Sequence, residues 1–355
     1  MDTKSKQFLY QYINNNSPVG YETDGQKIWL DYLKPHIDDW FTDTYGTAVA
    51  VINPKAPYKV VIEAHADEIA WYINYITKEG YMYVVRNGGS DYQIAPSMRA
   101  KIHADQGVLP GVFGWPAIHV RKDKEKPKPD IDTVILDGGF SSEKEVKEAG
   151  IHVGTIVTFD QDLTEINNKF WVGRALDNRM GGFTIAEVAR RIAKKKLPFA
   201  LYVVNAVQEE VGLKGAKMIA ETIKPDLAII TDVTHDTNSP LYNKIHHGDI
   251  ACGKGPVLSF APAVQNNVRE MLAKVAKKHK IPYQRIAASI STGTDTDAFA
   301  YAGAGIPSAL ISTPLKYMHT TVEMVHQKDV AHLIDWFSHF LLQLKPGHDF
   351  RYIKK

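Results

Sequence analysis

The sequence contains little cysteine and almost no excess of charge of either sign. Its 355 residues include one cysteine, so a disulfide framework within the chain is excluded and a reducing compartment is indicated. The 42 Lys and Arg residues against 40 Asp and Glu residues give a net charge of +2, which is not the charge balance of a nucleic-acid-binding protein. No apolar run approaches the length of a membrane span, and the first residues lack the apolar core of a signal peptide. The sequence therefore predicts a cytoplasmic protein with no membrane or nucleic-acid partner.

Two different patterns of secondary structure divide the chain. In residues 1–68 and 165–355, apolar runs of strand length alternate with amphipathic helices, as in an α/β domain whose mixed, largely parallel sheet is flanked by helices. In residues 69–164, short strand-like segments are separated by Gly, Asp and Pro turns, a spacing that favours a small β-barrel or sandwich. Within that stretch, the charged run 121–130 predicts an exposed loop. We therefore predict an α/β domain formed by both chain ends, with a β domain inserted into it.

Two adjacent acids, Glu209 and Glu210, directly follow the apolar run 200–207. That run predicts a buried parallel strand, and open α/β sheets bind ligands at the carboxyl ends of their strands. Two carboxylates this close disfavour joint ionisation unless a positive charge lies beside them. A divalent cation held by one acid, with the other acid acting as a base, supplies that charge. Alone, the pair is weak evidence, because adjacent glutamates are common at the solvated start of a helix and that interpretation would be favoured.

Other predicted strand ends and one turn-rich loop, residues 173–182, carry residues of the same chemical type. The loop is predicted to open a helix that begins at Thr184. Imidazole and carboxylate ligands without thiolates suit Zn²⁺, Co²⁺ or Mn²⁺ in a catalytic site. Counted together with the Glu pair, the residues of this type are too many ligands for one tetrahedral ion and about the right number for two ions that share a carboxylate. The additional residues are His65, Asp67, Asp177, Asp232 and His319.

These residues resemble the site of a known family. The family is the tetrahedral aminopeptidases, cytosolic exopeptidases with two co-catalytic zinc ions that are related to glutamyl aminopeptidase, and some of its members are labelled endoglucanases. The resemblance covers nearly the whole chain. Five motifs carry it, in this order: His65-Ala-Asp67-Glu68, Leu176-Asp-Asn-Arg-Met-Gly181, Val207-Gln-Glu-Glu-Val-Gly212, Thr231-Asp232 and Tyr317-Met-His-Thr320.

The resemblance implies a ligand set for two divalent ions. Asp177 would bridge both ions. His65 and Asp232 would complete the ligands of one ion, and Glu210 and His319 those of the other. Zinc is the first expectation for both positions, with cobalt or manganese as alternatives.

The resemblance also implies roles for residues that do not bind the ions. Glu209 would be the general base that activates the attacking water. Asp67 would accept the far ring N–H of His65 and so fix the orientation of the imidazole. In the family the Asp-Asn step can adopt a cis peptide, which makes the bond between Asp177 and Asn178 a candidate for one.

The function implied is that of a metal-dependent aminopeptidase acting on peptides with a free N-terminus. The implied assembly is a homo-oligomer built from dimers through the inserted domain, with up to twelve subunits. The ligands alone would also fit a dizinc deacylase or a carboxypeptidase-type amide hydrolase, whereas a glycosidase needs two metal-free carboxylates. A catalytically inactive scaffold is expected to have lost a ligand or Glu209. Two departures from the family pattern, Ala66 for Met and Lys316 for Arg, leave the substrate preference open.

Several further polar residues near the motifs receive structural interpretations. Glu63 and Glu68 are interpreted as solvated or hydrogen-bonded neighbours of the first ligand pair. Asp295 and Asp297 are interpreted as caps of the helix that follows them, with a role in the pocket as the less favoured alternative. For His235, lining of the pocket and plain loop structure are equally compatible with the sequence.

Overall fold

The computed structural model describes residues 1–121 and 128–353, which form a large mixed sheet flanked by helices and a separate closed barrel. The α-helices are α1 (Thr3–Asn14), α2 (Thr23–Leu33), α3 (Glu143–Glu148), α4 (Leu176–Ile192), α5 (Lys214–Ile223), α6 (Lys244–His247), α7 (Asn266–Lys278), α8 (Asp295–Ala300) and α9 (Gln327–Gln343). The strands are β1 (Asp39–Thr42), β2 (Ala48–Ile52), β3 (Lys59–His65), β4 (Ala70–Ile76), β5 (Met82–Asn87), β6 (Arg99–Ala104), β7 (Gly107–Gly114), β8 (Ile135–Asp137), β9 (Ile156–Phe159), β10 (Thr164–Ile166), β11 (Phe170–Gly173), β12 (Ala200–Ala206), β13 (Leu227–His235), β14 (Val257–Phe260), β15 (Gln284–Ala287), β16 (Ser308–Lys316) and β17 (Glu323–His326).

The large sheet has the strand order β1-β2-β12-β3-β13-β16-β17-β11-β10, and β14 and β15 branch from β16. Its four central strands, β12, β3, β13 and β16, run parallel to one another. These strands are the continuous apolar runs of the sequence, as expected of parallel strands buried on both faces. Because the four strands are parallel neighbours, their carboxyl ends lie side by side at one edge of the sheet.

Helix α4 is bounded by Leu176 and Ile192, but Asp177 and Asn178 have non-helical backbone, so the predicted loop from residue 173 to residue 182 is wrong only from Arg179 onward, where the helix is regular. The two glycines in that stretch suggested a turn, but they reflect close packing. A Cβ on Gly182 would lie 2.6 Å from the hydroxyl of Tyr12, and one on Gly181 would lie 2.3 Å from Oδ1 of Asn178. Asp177 therefore lies just before the regular part of a buried helix that packs against β3 and α9.

The six barrel strands close in the order β4-β5-β8-β7-β6-β9, and every pair in it is antiparallel. The barrel has its own apolar core, in which Trp71 contacts Phe113 and Phe159. The predicted α/β fold with an inserted barrel is thus confirmed. Residues 122–127 of the predicted exposed loop lie outside the described residues. Within the described ranges, every helix is too short or too polar to cross a membrane.

Candidate active site

The carboxyl ends of the parallel strands bring the predicted site residues together. His65 is the last residue of β3, and it pairs with the last residue of β12, three positions before Glu209. Asp232 lies on β13, the other neighbour of β3. His319 lies in the turn between β16 and β17, and β16 is the neighbour of β13 in the sheet. The strand order therefore explains why residues far apart in sequence meet at one edge.

Asp177 lies at the centre of the site and presents one carboxylate oxygen to each histidine. Its Oδ1 is 3.2 Å from Nε2 of His65, and its Oδ2 is 3.3 Å from Nε2 of His319. Asp177 and His65 are both buried, and His319 is about one-third exposed. A carboxylate between two imidazoles in this arrangement has the geometry of a bridge between two ions.

The remaining predicted ligands surround this centre. Oε1 of Glu210 is 3.3 Å from Nε2 of His319. Oδ1 of Asp232 and Oε2 of Glu209 are each 3.9 Å from Nε2 of His65. His65, Asp177 and Glu210 each offer a ligand atom within 4.8 Å of the others. The structure thus brings all five predicted ligands and Glu209 into one cluster.

The donor set fits divalent metal ions. Two atoms that bind one zinc ion at about 2.0–2.1 Å and at a tetrahedral angle are roughly 3.3 Å apart, which matches the spacing between Asp177 and the two imidazoles. The donors are imidazole nitrogens and carboxylate oxygens, the ligand types of catalytic zinc sites.

The electrostatics of the cluster also favour cations. Burial raises the pKa of Glu209 to about 10, with His65 opposing the rise and Asp232 adding to it. Burial likewise raises the pKa of Asp232 well above its ordinary value. Burial would lower the pKa of His319, but Asp177 and the neighbouring Glu carboxylate together raise it to about 11. Four carboxyl groups packed this closely cannot all ionise unless positive charge is placed among them.

Asp67 contacts both His65 and the Glu pair. Nδ1 of His65 is 3.2 Å from the main-chain carbonyl oxygen of Asp67 and 3.5 Å from its carboxylate. That carboxylate also accepts the backbone N–H groups of Glu209 and Glu210, at 3.0 and 3.1 Å. Asp67 therefore holds the first ligand strand and the Glu pair in register with each other.

The peptide bond between Asp177 and Asn178 is cis, as the resemblance suggested. The Asn178 side chain donates a hydrogen bond of 2.7 Å to the carbonyl of Thr231, the residue before the ligand Asp232. Two ligand-bearing segments are thus tied to each other directly.

A cavity of about 610 Å³ opens over the cluster. His235 lines it, which answers the question that the sequence left open for this residue, and Asp297 contributes a further carboxylate. None of the described residues that line the cavity is Lys or Arg. Lys316 lies outside this lining, 3.9 Å from a carboxylate oxygen of Asp236. The described lining therefore contains carboxyl groups and imidazoles but no Lys or Arg side chain that would repel a cation.

Two buried carboxyl groups, Glu63 and Asp295, lie against each other beside the site. They are hydrogen-bonded to each other, which agrees with the interpretation of Glu63 as a hydrogen-bonded neighbour, whereas the interpretation of Asp295 as a cap is wrong. Burial raises the pKa of Glu63 to about 8. Thr294, not Asp295, caps helix α8 with its side chain. The one local signal was that Glu63 stands two residues before His65, on the same side of β3.

Two other contributors to the site were missed. A Cβ on Gly89, which follows strand β5 of the barrel, would lie 2.6 Å from the ring of His319, so the barrel reaches the site where only glycine fits. Glu323 is buried and accepts backbone N–H groups beside two of the ligands. Its spacing of four residues from His319 was visible in the sequence, but the spacing alone did not indicate a role.

Comparisons with known proteins agree with this geometry. The sequence pattern of the M42 glutamyl aminopeptidase family matches residues 46–336. Lysyl aminopeptidase of Pyrococcus furiosus is 32% identical over 343 residues, which are 96% of this chain and 97% of that protein. The crystal structure of a TET aminopeptidase from a marine sediment archaeon of the Thaumarchaeota has a TM-score of 0.91 at 27% identity, covering 96% of each chain. The TET1 peptidase of Pyrococcus horikoshii has a TM-score of 0.85 at 25% identity, covering 96% of this chain and 100% of that one. The resemblance to the tetrahedral aminopeptidases is thereby confirmed, and this chain belongs to the M42 glutamyl aminopeptidase family.

Proposed function

We propose that this protein is a dinuclear metallo-aminopeptidase that removes the N-terminal residue of peptides. The observation that carries the proposal is the Asp177 carboxylate, whose two oxygens each lie 3.2–3.3 Å from a different imidazole nitrogen. His65 and Asp232 are the proposed partners of Asp177 on one ion, and Glu210 and His319 on the other. Zinc is the proposed metal for both positions, with cobalt or manganese as alternatives.

Glu209 is the proposed general base. When bound, two divalent ions supply Lewis acidity, which polarises a substrate carbonyl and makes a water molecule more acidic. The resemblance assigns this role to Glu209 and a ligand role to Glu210, whose carboxylate lies closer to an imidazole nitrogen, at 3.3 Å against 3.9 Å. In that role Glu209 would take the proton of the attacking water and deliver it to the leaving amine. Asp67 keeps the backbone of Glu209 in place for this transfer.

The charge of the cavity supports action at a free N-terminus. A substrate α-ammonium group is cationic, and it would enter a cavity lined by five carboxylates and by no Lys or Arg among the described residues. Asp297 is the carboxylate of this lining that has no proposed role as ligand or base. The amine would thus be attracted to the walls of the cavity while the first peptide bond reaches Glu209.

Reconstitution with metal and a matched pair of substrates tests the proposal. The chelated protein is loaded with Zn²⁺, Co²⁺ or Mn²⁺ and assayed on fluorogenic aminoacyl amides and on the same amides with an acetylated amino group. We expect about two bound ions per chain and hydrolysis of the free-amine substrates only. Hydrolysis of the acetylated substrates would identify a deacylase, release of C-terminal residues a carboxypeptidase, and two bound ions with no hydrolysis an inactive scaffold.

The same proposal includes a cytoplasmic homo-oligomer assembled through the inserted domain, residues 69–164. The TET1 peptidase of Pyrococcus horikoshii is described as assembling into a tetrahedron or a large octahedral shell. An interface through the insert would cover several apolar side chains that are exposed in the single chain: Val108, Val112, Ile118, Val120, Ile131 and Val153. The proposed assembly is a dimer as building block, with a dodecamer as the full shell.

A further inference from the structure

We infer that Glu323 is a positioning residue that holds Asp177 and His319 in the geometry required for metal binding. The inference rests on the proposed two-metal site and adds to it a residue that touches neither the ions nor the substrate. Glu323 is 2% exposed, and its two carboxylate oxygens accept backbone N–H groups from two separate ligand-bearing segments.

One oxygen of Glu323 holds the backbone that carries Asp177. Oε2 accepts the N–H groups of Leu176 at 2.7 Å and of Asp177 at 3.1 Å. The backbone of Asp177 and of the next residue is not helical, so the regular part of α4 begins only after them. Ala175, which precedes this segment, has no side chain that can accept these hydrogens. Because a buried backbone N–H needs an acceptor, Glu323 supplies one that the local sequence lacks.

The other oxygen of Glu323 fixes the turn that carries His319. Oε1 accepts the N–H of His319 at 2.7 Å. The backbone of His319 is in the left-handed region, with φ of 60°, as is that of Tyr317, with φ of 59°. Residues other than glycine persist in this region only when their surroundings hold them there. The hydrogen bond to Glu323 is such a restraint at the ligand itself.

The position of Glu323 in the sheet explains how one side chain reaches both segments. It is the first residue of β17, which lies between β16 and β11 in the sheet. The turn after β16 carries His319, and the segment after β11 leads into Asp177. Glu323 pairs with Gly173 on β11, four residues before Asp177. The strand between the two ligand segments thus contributes the carboxylate that joins them.

The hydrogen bonds also argue against a role for Glu323 as a further metal ligand. Both of its oxygens are occupied by backbone N–H groups, and Asp177 already presents one oxygen toward each histidine. Groups that orient metal ligands affect metal affinity by about 10- to 100-fold. We therefore assign to Glu323 an effect on metal binding that is exerted through Asp177 and His319.

The test compares Glu323→Gln with Asp329→Asn in the full-length protein. Asp329 is a matched control because it is also buried and accepts two backbone N–H groups, those of Gly253 and Gly255, away from the site. Zn²⁺ affinity is measured by titration against a competing chelator, with metal content by elemental analysis and the Tm of the metal-free protein. Glutamine has only one acceptor oxygen, so it cannot satisfy both segments.

For Glu323→Gln we expect an affinity about 10- to 100-fold weaker for at least one ion, with the loss of bound metal reversed by excess Zn²⁺. Asp329→Asn should lower the Tm and leave the affinity unchanged. Wild-type affinity for both ions in Glu323→Gln, with only its Tm lowered, would overturn the inference. If Glu323→Gln does not fold, Glu323→Asp, which is too short to span both segments, is titrated instead under the same criterion. Wild-type protein that binds no metal would refute the proposed function itself, a result that the titration separates from failure of this inference.

Discussion

Glu209 and Glu210 are neighbours in sequence, but we expect the change of each to Gln to impair a different property, catalysis for Glu209 and metal binding for Glu210. Glu209→Gln keeps the shape of the side chain and its hydrogen-bonding capacity but cannot accept the proton of the attacking water. It should bind two ions and lose about 10²–10⁴ in kcat, the share of general acid–base catalysis, or about 3–5 kcal/mol. Glu210→Gln replaces a charged group 3.3 Å from His319, so it should lose one ion and regain part of its activity in excess metal.

The structure shows why kcat alone cannot separate the two effects. The carboxylates of Glu209 and Glu210 lie in the same cluster, 3.9 and 3.3 Å from an imidazole nitrogen. Loss of the base and loss of one ion would therefore both lower kcat. Metal content and the pH profile distinguish loss of the base from loss of an ion. Only loss of the base leaves both ions bound and removes the fall of kcat/KM at low pH.

The assay for this prediction combines elemental analysis with kcat/KM between pH 5 and 9 on one aminoacyl amide. Glu221→Gln is the control, since Glu221 is an exposed glutamate on α5 outside the cavity and its loss should change neither quantity. A metal-depleted Glu209→Gln together with a metal-replete, inactive Glu210→Gln would mean that the two roles are exchanged. Full activity in both variants would mean that the active site is not at these two residues.

Four other outcomes are expected. Asp177→Ala should lose both ions and His319→Ala mainly one, by elemental analysis; two ions retained in Asp177→Ala would contradict the bridge. Burial and the charge of Asp67 raise the pKa of Glu22 from 4.5 to about 7, so ionisation of Glu22 costs stability as the pH rises across that interval. Glu22→Gln should therefore raise the Tm at pH 8 but not at pH 4.5, and the gain in the free energy of unfolding at pH 8 should be about 3 kcal/mol at most. An equal effect at both pH values would refute this. Because the described cavity lining lacks Lys and Arg, substrates that begin with Glu or Asp should have a lower kcat/KM than those that begin with Lys or Leu, and a preference for acidic residues would disprove it. Light scattering should report a mass several times the 39.7 kDa of one chain, and a fully active monomer would exclude the proposed assembly.

Much of the fold could be predicted because its signals are local. The continuous apolar runs that became β3, β12, β13 and β16 reflect burial on both faces, and the short segments between turns reflect the antiparallel barrel. Metal-binding residue types at the ends of those runs then indicated the site, because parallel strands present their carboxyl ends at one edge. The resemblance assigned the individual roles.

Helix boundaries and caps were less predictable from the sequence. Glycines at 181 and 182 have the local signature of a turn, yet they lie inside α4 because Tyr12 and Asn178 leave no room for a Cβ. Asp295 has the signature of a cap, yet Thr294 caps the helix and Asp295 is buried against Glu63. In both cases packing against distant residues overrode the local preference.

The sequence by itself determined which residue types stand at the strand ends, and hence that carboxylates and imidazoles would meet at one edge of the sheet. Only the tertiary structure decided how they meet. Asp177 faces His65 from 112 positions away in the chain, and Glu323 accepts the N–H of Leu176 from 147 positions further along. Such contacts depend on the strand order and on the register of β17 between β16 and β11. No periodicity or spacing within a segment encodes that register, because it is set by the packing of all the layers together.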